Sequence, residues 1–104
     1  MRFFNLLACL LACVVLFACS DSGEDLYKQG KALYDNNEYT KAVEFFQKAA
    51  DQGNAKAQCE LAVCYTIGKG VPMDEGKGIY WWRKAAKNGN KGAQSILKKA
   101  GIKY

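Results

Sequence analysis

The sequence predicts an all-α protein, an α-solenoid-like stack of helical hairpins built from about five helices. Three observations carry this reading. First, "FQKAADQGNAKAQCEL" (46–61) and "WRKAAKNGNKGAQSIL" (82–97) share eight of sixteen residues at a constant offset of 36. The shared pairs are Lys48/Lys84, Ala49/Ala85, Ala50/Ala86, Gly53/Gly89, Asn54/Asn90, Ala57/Ala93, Gln58/Gln94 and Leu61/Leu97. A period in this range marks stacked supersecondary units, none of which buries its apolar face alone. Second, apolar residues beyond position 25 recur at helical spacing, not in strand-like alternation. Third, turn formers separate the apolar stretches at regular intervals.

Each element can be justified in order. Leu26, Gly30, Leu33 and Tyr34 share one face of a first helix, and "DNNE" (35–38) ends it. Tyr39, Ala42, Val43, Phe46, Ala49 and Ala50 form a second amphipathic stripe that stops at Gly53, a glycine placed to adopt a left-handed cap. Ala55 to Ile67 reads as a third helix with Ala57, Leu61, Cys64 and Tyr65 turned inward. "GKGVPMD" (68–74) is a loop; Asp74 caps a fourth helix, and Pro72 excludes an earlier start. That helix carries Ile79, Trp81, Trp82, Ala85 and Ala86 and stops near Gly89. A shorter final helix is expected over 91–100. Tyr80, Trp81 and Trp82 spread over about 200° of helix circumference, so they cannot all face one core. Trp81 and Trp82 are assigned to the core and Tyr80 to solvent.

The chain has 104 residues, enough for one small domain. Its first eighteen residues differ from the rest. Arg2 precedes an apolar run from Phe3 to Ala18, interrupted only by Asn5. As a helix that run would span about 24 Å, short of a hydrocarbon core of about 30 Å, which favours an export signal over an uncleaved membrane anchor. "LFAC" (16–19) resembles a bacterial lipobox. The resemblance implies cleavage after Ala18, a diacylglycerol thioether on Cys19 and acylation of the new amino group, with Phe17 bulkier than is usual there. Several acyl chains on one residue hold a protein firmly to a bilayer. Residues 1–18 are thus expected to be a lipoprotein signal peptide and 19–24 a lipidated tether. Residues 25–104 form the helical repeat domain, with units 25–53 and 55–89 and the final helix 91–100. Ser20 after the cysteine resembles an outer-membrane sorting pattern. The expected location is the bacterial cell envelope, lipid-anchored and facing the periplasm, with the outer membrane favoured in a Gram-negative cell.

The second unit, "AQCELAVCYTIGKGVPMDEGKGIYWWRKAAKNG" (57–89), resembles the Sel-1-like repeat, a variant of the tetratricopeptide repeat. Leu61, Tyr65, Gly68, Gly70, Val71, Asp74, Lys77, Trp81, Lys84, Ala85, Ala86 and Gly89 carry the match. Ala62 stands where the family commonly has Gly, and Gly78 where it has Ala. Gly78 inside a helix costs about 1 kcal/mol relative to Ala. The first unit is similar to an ordinary tetratricopeptide repeat, with Gly30, Ala42, Phe46 and Ala49 at the expected spacing and Gln29 at a position usually apolar. The resemblance implies a right-handed stack whose first helix in each pair lines a concave face that binds extended peptides. On that analogy the groove would present Tyr27, Lys31 and Tyr34 from the first unit. Lys56, Cys59, Val63 and Thr66 would follow from the second, with Ser95 and Lys99 from the final helix.

The inventory of reactive groups argues against catalysis. The chain contains no histidine, which excludes Ser-His-Asp and Cys-His arrangements. No carboxylate pair suggests general acid–base work, and "GKG" (68–70) lacks the rest of a phosphate loop. No metal ligand set and no cofactor motif is present. Cys59 and Cys64, five apart on one helix, point about 140° away from each other, so they read as two small hydrophobes, not a disulfide. Charge is uneven along the chain. Residues 19–66 hold five lysines against eight acids, a balance of −3; residues 67–104 hold nine Lys/Arg against two acids, a balance of +7. Such a basic half suits a solvated face, an acidic protein partner, lipid headgroups or anionic cell-wall polymer such as peptidoglycan. Nucleic acid is not an expected partner for an exported protein. The function expected is that of a membrane-anchored periplasmic lipoprotein whose repeat module binds a protein or peptide, as adaptor or regulator of an envelope assembly. The alternatives are a cell-wall or anionic-surface binder, and an inhibitor or immunity-type protein.

Overall fold

Residues 23–104, which the computed structural model describes, form five α-helices and no strand: α1 (Gly23–Asp35), α2 (Tyr39–Asp51), α3 (Ala55–Ile67), α4 (Glu75–Lys87) and α5 (Lys91–Lys99). The leader 1–18 and Cys19 lie outside the described residues. The helix bounds follow the turn signals closely, with two departures. α1 starts at Gly23, so Gly23 and Glu24 belong to the helix and not to the 19–24 tether. Gly23 is buried there because a bare Cα is what fits: a Cβ would lie 3.0 Å from the Asn54 Cβ and 3.1 Å from the Ala49 carbonyl oxygen. At the other end α5 stops at Lys99, and Ala100 is its cap.

Three helices begin on a side-chain cap. Asn54, Asp74 and Asn90 accept from the backbone N–H of Ala57 (2.9 Å), Lys77 (3.1 Å) and Ala93 (2.9 Å), satisfying donors that a helix start leaves open. Gly53 and Gly89 end α2 and α4 at φ of 87° and 91°. In each case the next residue donates back to the helix, Asn54 N to Ala49 O and Asn90 N to Ala85 O, which closes a Schellman motif. A capping asparagine follows each glycine directly, so one helix ends and the next begins within three residues.

Consecutive helices pack side by side, α1 on α2, α2 on α3, α3 on α4 and α4 on α5, and α1 also touches α3. The first core centres on Phe46, Leu61, Cys64 and Trp81 among small alanines; the second holds Ala85, Ala86, Ala93 and Leu97, with Trp82 packed against both. Gln58 joins the hairpins. Only 2% exposed, it donates from Nε2 to the Ala50 carbonyl (3.1 Å) and accepts at Oε1 from Asn88 Nδ2 (2.9 Å). Gln94, 36 residues on, donates to the Ala86 carbonyl at 2.9 Å in the same way. The paired identities Gln58/Gln94 and Ala50/Ala86 are therefore two halves of one recurring hydrogen bond between units.

The departures at Ala62 and Gly78 form one arrangement. In the first unit Gly30 of α1 faces α2, where an added Cβ would lie 2.7 Å from the Phe46 ring and 3.3 Å from the Ala42 carbonyl oxygen. In the second unit the glycine sits on the partner helix: a Cβ on Gly78 of α4 would lie 3.3 Å from the Ala62 carbonyl oxygen of α3. Each crossing has one glycine and one alanine, in opposite order. The polar Gln29 is equally local in origin. It occupies the seventh position of α1 as the fully buried Leu61 does in α3, but no described helix precedes α1, and Gln29 is exposed.

Candidate partner-binding groove

The odd-numbered helices α1, α3 and α5 line an open groove of about 300 Å³. α1 supplies Tyr27; α3 supplies Lys56, Cys59 and Glu60; α5 supplies Gly92 and Ile96, with its cap Asn90; and α4 supplies Trp82. The floor is apolar and the rim is polar. Ile96 is 43% exposed, a large aliphatic side chain facing solvent at the groove's end. On the rim, Lys56 Nζ stands 3.5 Å from Glu24 Oε1, and Lys31 Nζ stands 3.5 Å from Glu60 Oε1. Hydrogen bonding from Asn54, reinforced by the Lys56 charge, holds the Glu24 carboxyl below its ordinary pKa. Burial works to lower the Lys31 ammonium, yet the neighbouring Glu60 prevails and its pKa is raised. Burial, with Glu60 nearby, also raises the Tyr27 hydroxyl, so this ring keeps its proton.

Of the nine groove residues expected from the sequence, the structure brings Tyr27, Lys56 and Cys59 together. The other six lie outside the groove, each for an identifiable reason. Lys31 is held by Glu60 at the margin. Tyr34 packs edge-on against Tyr39 (4.9 Å between ring centroids) and against Phe46, with Lys69 over its ring. Val63 is half-buried on α3 and is not among the groove's lining residues. Thr66 bonds its own helix, Oγ1 donating to the Ala62 carbonyl at 2.7 Å, and its hydroxyl sits where a Gly78 side chain would go; it faces α4. Ser95 and Lys99 are exposed on α5, whose groove face is instead Gly92 and Ile96, one helical turn apart.

Trp82 is the residue that the sequence assignment misplaced in part. Trp81 is buried at 8% exposure and Tyr80 is open to solvent at 51%, as expected, but Trp82 is only half-buried and faces the groove. The signal was present in the chain. Trp82 is the counterpart of Phe46 at the 36-residue offset, and Gly30, which makes room for Phe46, is replaced by Ala62 in the second unit. Cys59 is likewise half-buried in the groove and Cys64 fully buried; both are free thiols, and burial pushes each up to about 11. Both thiols are therefore neutral at ordinary pH, which makes them poor nucleophiles. Among the described residues no group of His, Cys, Asp and Glu is placed to hold a metal, and no helix is long and apolar enough to cross a membrane.

A stack of helical hairpins with a groove on the first-helix face defines a repeat protein of the solenoid class. The family model for the Sel1 repeat matches residues 16–54 and 55–90, and the chain belongs to the Sel1 repeat family, whose repeats serve as scaffolds for protein–protein interaction. Among solved structures it is similar to a Sel1 repeat protein from Oxalobacter formigenes, at 38% identity and a TM-score of 0.71, covering 75% of this chain and 24% of that one. It is also similar to the cysteine rich protein B of Helicobacter pylori, at 26% identity and a TM-score of 0.69, covering 74% of this chain and 61% of that one. Among curated proteins, 42 residues are 48% identical to DAP3-binding cell death enhancer 1 of Mus musculus, and 82 residues are 38% identical to protein sel-1 homolog 2 of Rattus norvegicus. These alignments cover 40% and 75% of this chain but only 8% and 12% of the relatives' own lengths.

Proposed function

We propose that this protein is a lipid-anchored docking module of the bacterial envelope, binding a segment of another polypeptide in the groove of α1, α3 and α5. The observation that carries the reading is the groove itself: Tyr27, Trp82 and Ile96 offer apolar contact where water has access, between rims bearing Lys56 and Asn90. Aromatic side chains held on rigid helices are efficient anchors for a partner. The module acts by shape and charge, as an adaptor or regulator, without covalent chemistry. The lipobox "LFAC" supports the anchor, and helix α1 beginning at Gly23, four residues beyond Cys19, would keep the groove close to the bilayer.

Two experiments test this. Cys19→Ser is expected to abolish acylation and to release or stall the precursor, and unchanged membrane association would refute the anchor. Crosslinking and mass spectrometry in the native envelope is expected to place a reproducible partner on the groove, with Trp82→Ala reducing its yield. No reproducible partner, or an undiminished yield in the variant, would refute the docking function.

A second reading has an observation of its own. The ion pairs among the described residues, Lys31–Glu60, Lys41–Glu38 and Lys56–Glu24, all use lysines of the first half. The +7 balance of residues 67–104 is left uncompensated at close range. An anionic surface, cell-wall polymer or lipid headgroup, would suit it. Pelleting with purified peptidoglycan or anionic vesicles that weakens with salt would favour this reading, and failure to pellet would remove it.

A further inference from the structure

We propose that the groove takes a carboxylate, the side chain of a glutamate or aspartate in the partner segment, between Lys56 and Asn90. The proposal deepens the docking reading above and rests on it. Its ground is a difference between the two inter-unit junctions of the molecule.

At the first junction, between α1 and α3, a carboxylate is already in place. Glu24, second residue of α1, accepts from Asn54 Nδ2 at 3.1 Å and from Lys56 Nζ at 3.5 Å. Asn54 is at the same time the cap of α3. At the second junction, between α3 and α5, the cap is Asn90, bonded to Ala93 N at 2.9 Å as Asn54 is to Ala57. The second residue of α3, in the register of Glu24, is Lys56; the second residue of α5, in the register of Lys56, is Gly92. The carboxylate has been replaced by a cation. Asn90 Nδ2 therefore has no acceptor among the described residues, and Lys56, which holds Glu24 at 3.5 Å, lines the same groove with a side chain 61% exposed. Gly92 leaves the place open: a Cβ there would meet only Asn90 Oδ1, at 3.2 Å.

Two donors thus line the groove, an amide without an acceptor and an ammonium that holds Glu24 and has N–H groups to spare, and the first junction displays the acceptor that matches them. The groove's own carboxylate, Glu60, is engaged by Lys31. A partner carboxylate accepting from Asn90 and Lys56 would repeat the Glu24 arrangement in trans, and the apolar side chain next to it would lie on Tyr27, Trp82 and Ile96. Charge-assisted hydrogen bonds of this kind are among the stronger polar contacts.

The test uses the full chain in detergent micelles and a capped hexapeptide, GENLYK, which is residues 23–28 with Asp25 replaced by asparagine so that the glutamate is its one carboxylate, titrated by NMR. The expected result is a shift of the Asn90 side-chain amide and the Trp82 indole, with affinity falling about fivefold or more when the peptide's glutamate is replaced by glutamine. Lys56→Gln should produce a comparable loss. Asn90→Asp is the decisive variant, because aspartate caps a helix as well as asparagine does while replacing the amide donor with a second negative charge; α5 is retained and binding should disappear. Equal binding of the glutamate and glutamine peptides, no shift at Asn90, or full binding by Asn90→Asp would overturn the proposal. If instead an uncapped glutamine peptide binds as well as the capped glutamate one, a chain terminus is the ligand and the side-chain assignment fails. A partner crosslinked to the groove in the envelope with equal yield in Asn90→Asp would sink the carboxylate site while leaving the docking function standing.

Discussion

Gly78 meets Ala62 across the α3–α4 crossing as Ala42 meets Gly30 across the α1–α2 crossing, with the two small residues exchanged. Restoring the more helical residue at position 78 should therefore fail. Gly78→Ala gains about 1 kcal/mol of helix propensity, but its methyl would lie 2.6 Å from Thr66 Oγ1, whose hydroxyl is bonded to the Ala62 carbonyl. Overpacking of this kind costs about 1–3 kcal/mol. Gly78→Ala is expected to lower stability in urea unfolding, and Thr66→Ala combined with Gly78→Ala to recover or exceed the parent. Stabilisation by Gly78→Ala alone would refute the crowding.

The buried Gln58 between the units should count for more than its half-buried counterpart Gln94. Gln58→Ala leaves the Ala50 carbonyl and the Asn88 amide without their partner and opens a cavity, at a cost of about 2–4 kcal/mol. Gln94 is half-buried and makes the same bond to Ala86, so Gln94→Ala should cost about 1 kcal/mol. Denaturant midpoints of the two variants compare the junctions directly; equal losses would mean that burial of the bond does not matter.

Gly89 offers a cleaner measurement of backbone conformation. It sits at φ of 91° with nothing within 4 Å of the place a Cβ would occupy. Gly89→Ala should cost about 1–2 kcal/mol of stability through the left-handed conformation alone, read as a lower melting temperature. The crosslinking pattern of the groove should be unchanged.

The thiols set an alkaline limit. Burial raises Cys59 and Cys64 from an ordinary value of 9.0 to about 11, so the folded protein holds their protons more tightly than the unfolded chain does. This contribution to stability is complete below pH 9 and is lost as pH rises toward 11. Stability measured from pH 8 to 11 should decline, and Cys64→Ala should flatten that decline. At pH 8 in the native state Cys59 should alkylate slowly and Cys64 not at all, since only Cys59 reaches the surface.

Most of the helix plan was legible in the chain because capping is local. Gly53–Asn54 and Gly89–Asn90 name both the end of one helix and the start of the next, and Asp74 and Pro72 fix the start of α4 to the residue. The groove was less legible. Tyr27, Lys56 and Cys59 could be placed by helix order, but Thr66, Ser95 and Lys99 were drawn from the same faces without knowing how each neighbouring helix is turned. Trp82 was hidden for a related reason. Whether its ring goes inward depends on Ala62, twenty residues away, occupying the space that Gly30 leaves free for Phe46. The junction carboxylate Glu24 was read as tether, since nothing local distinguishes an acidic linker from the first turn of an acidic helix.

The exchanged glycines also bear on how such a gene can change length. A crossover that joined α1 of one copy to α4 of another would bring Gly30 against Gly78 and leave a gap. The reciprocal product would press Ala62 against Ala42. Each half-hairpin has become a private match for its own mate, like a key cut for one lock, and only intact pairs are portable between units. Growth or shrinkage of the array must then proceed in whole hairpins, and each inherited hairpin carries its own solution to the same crossing.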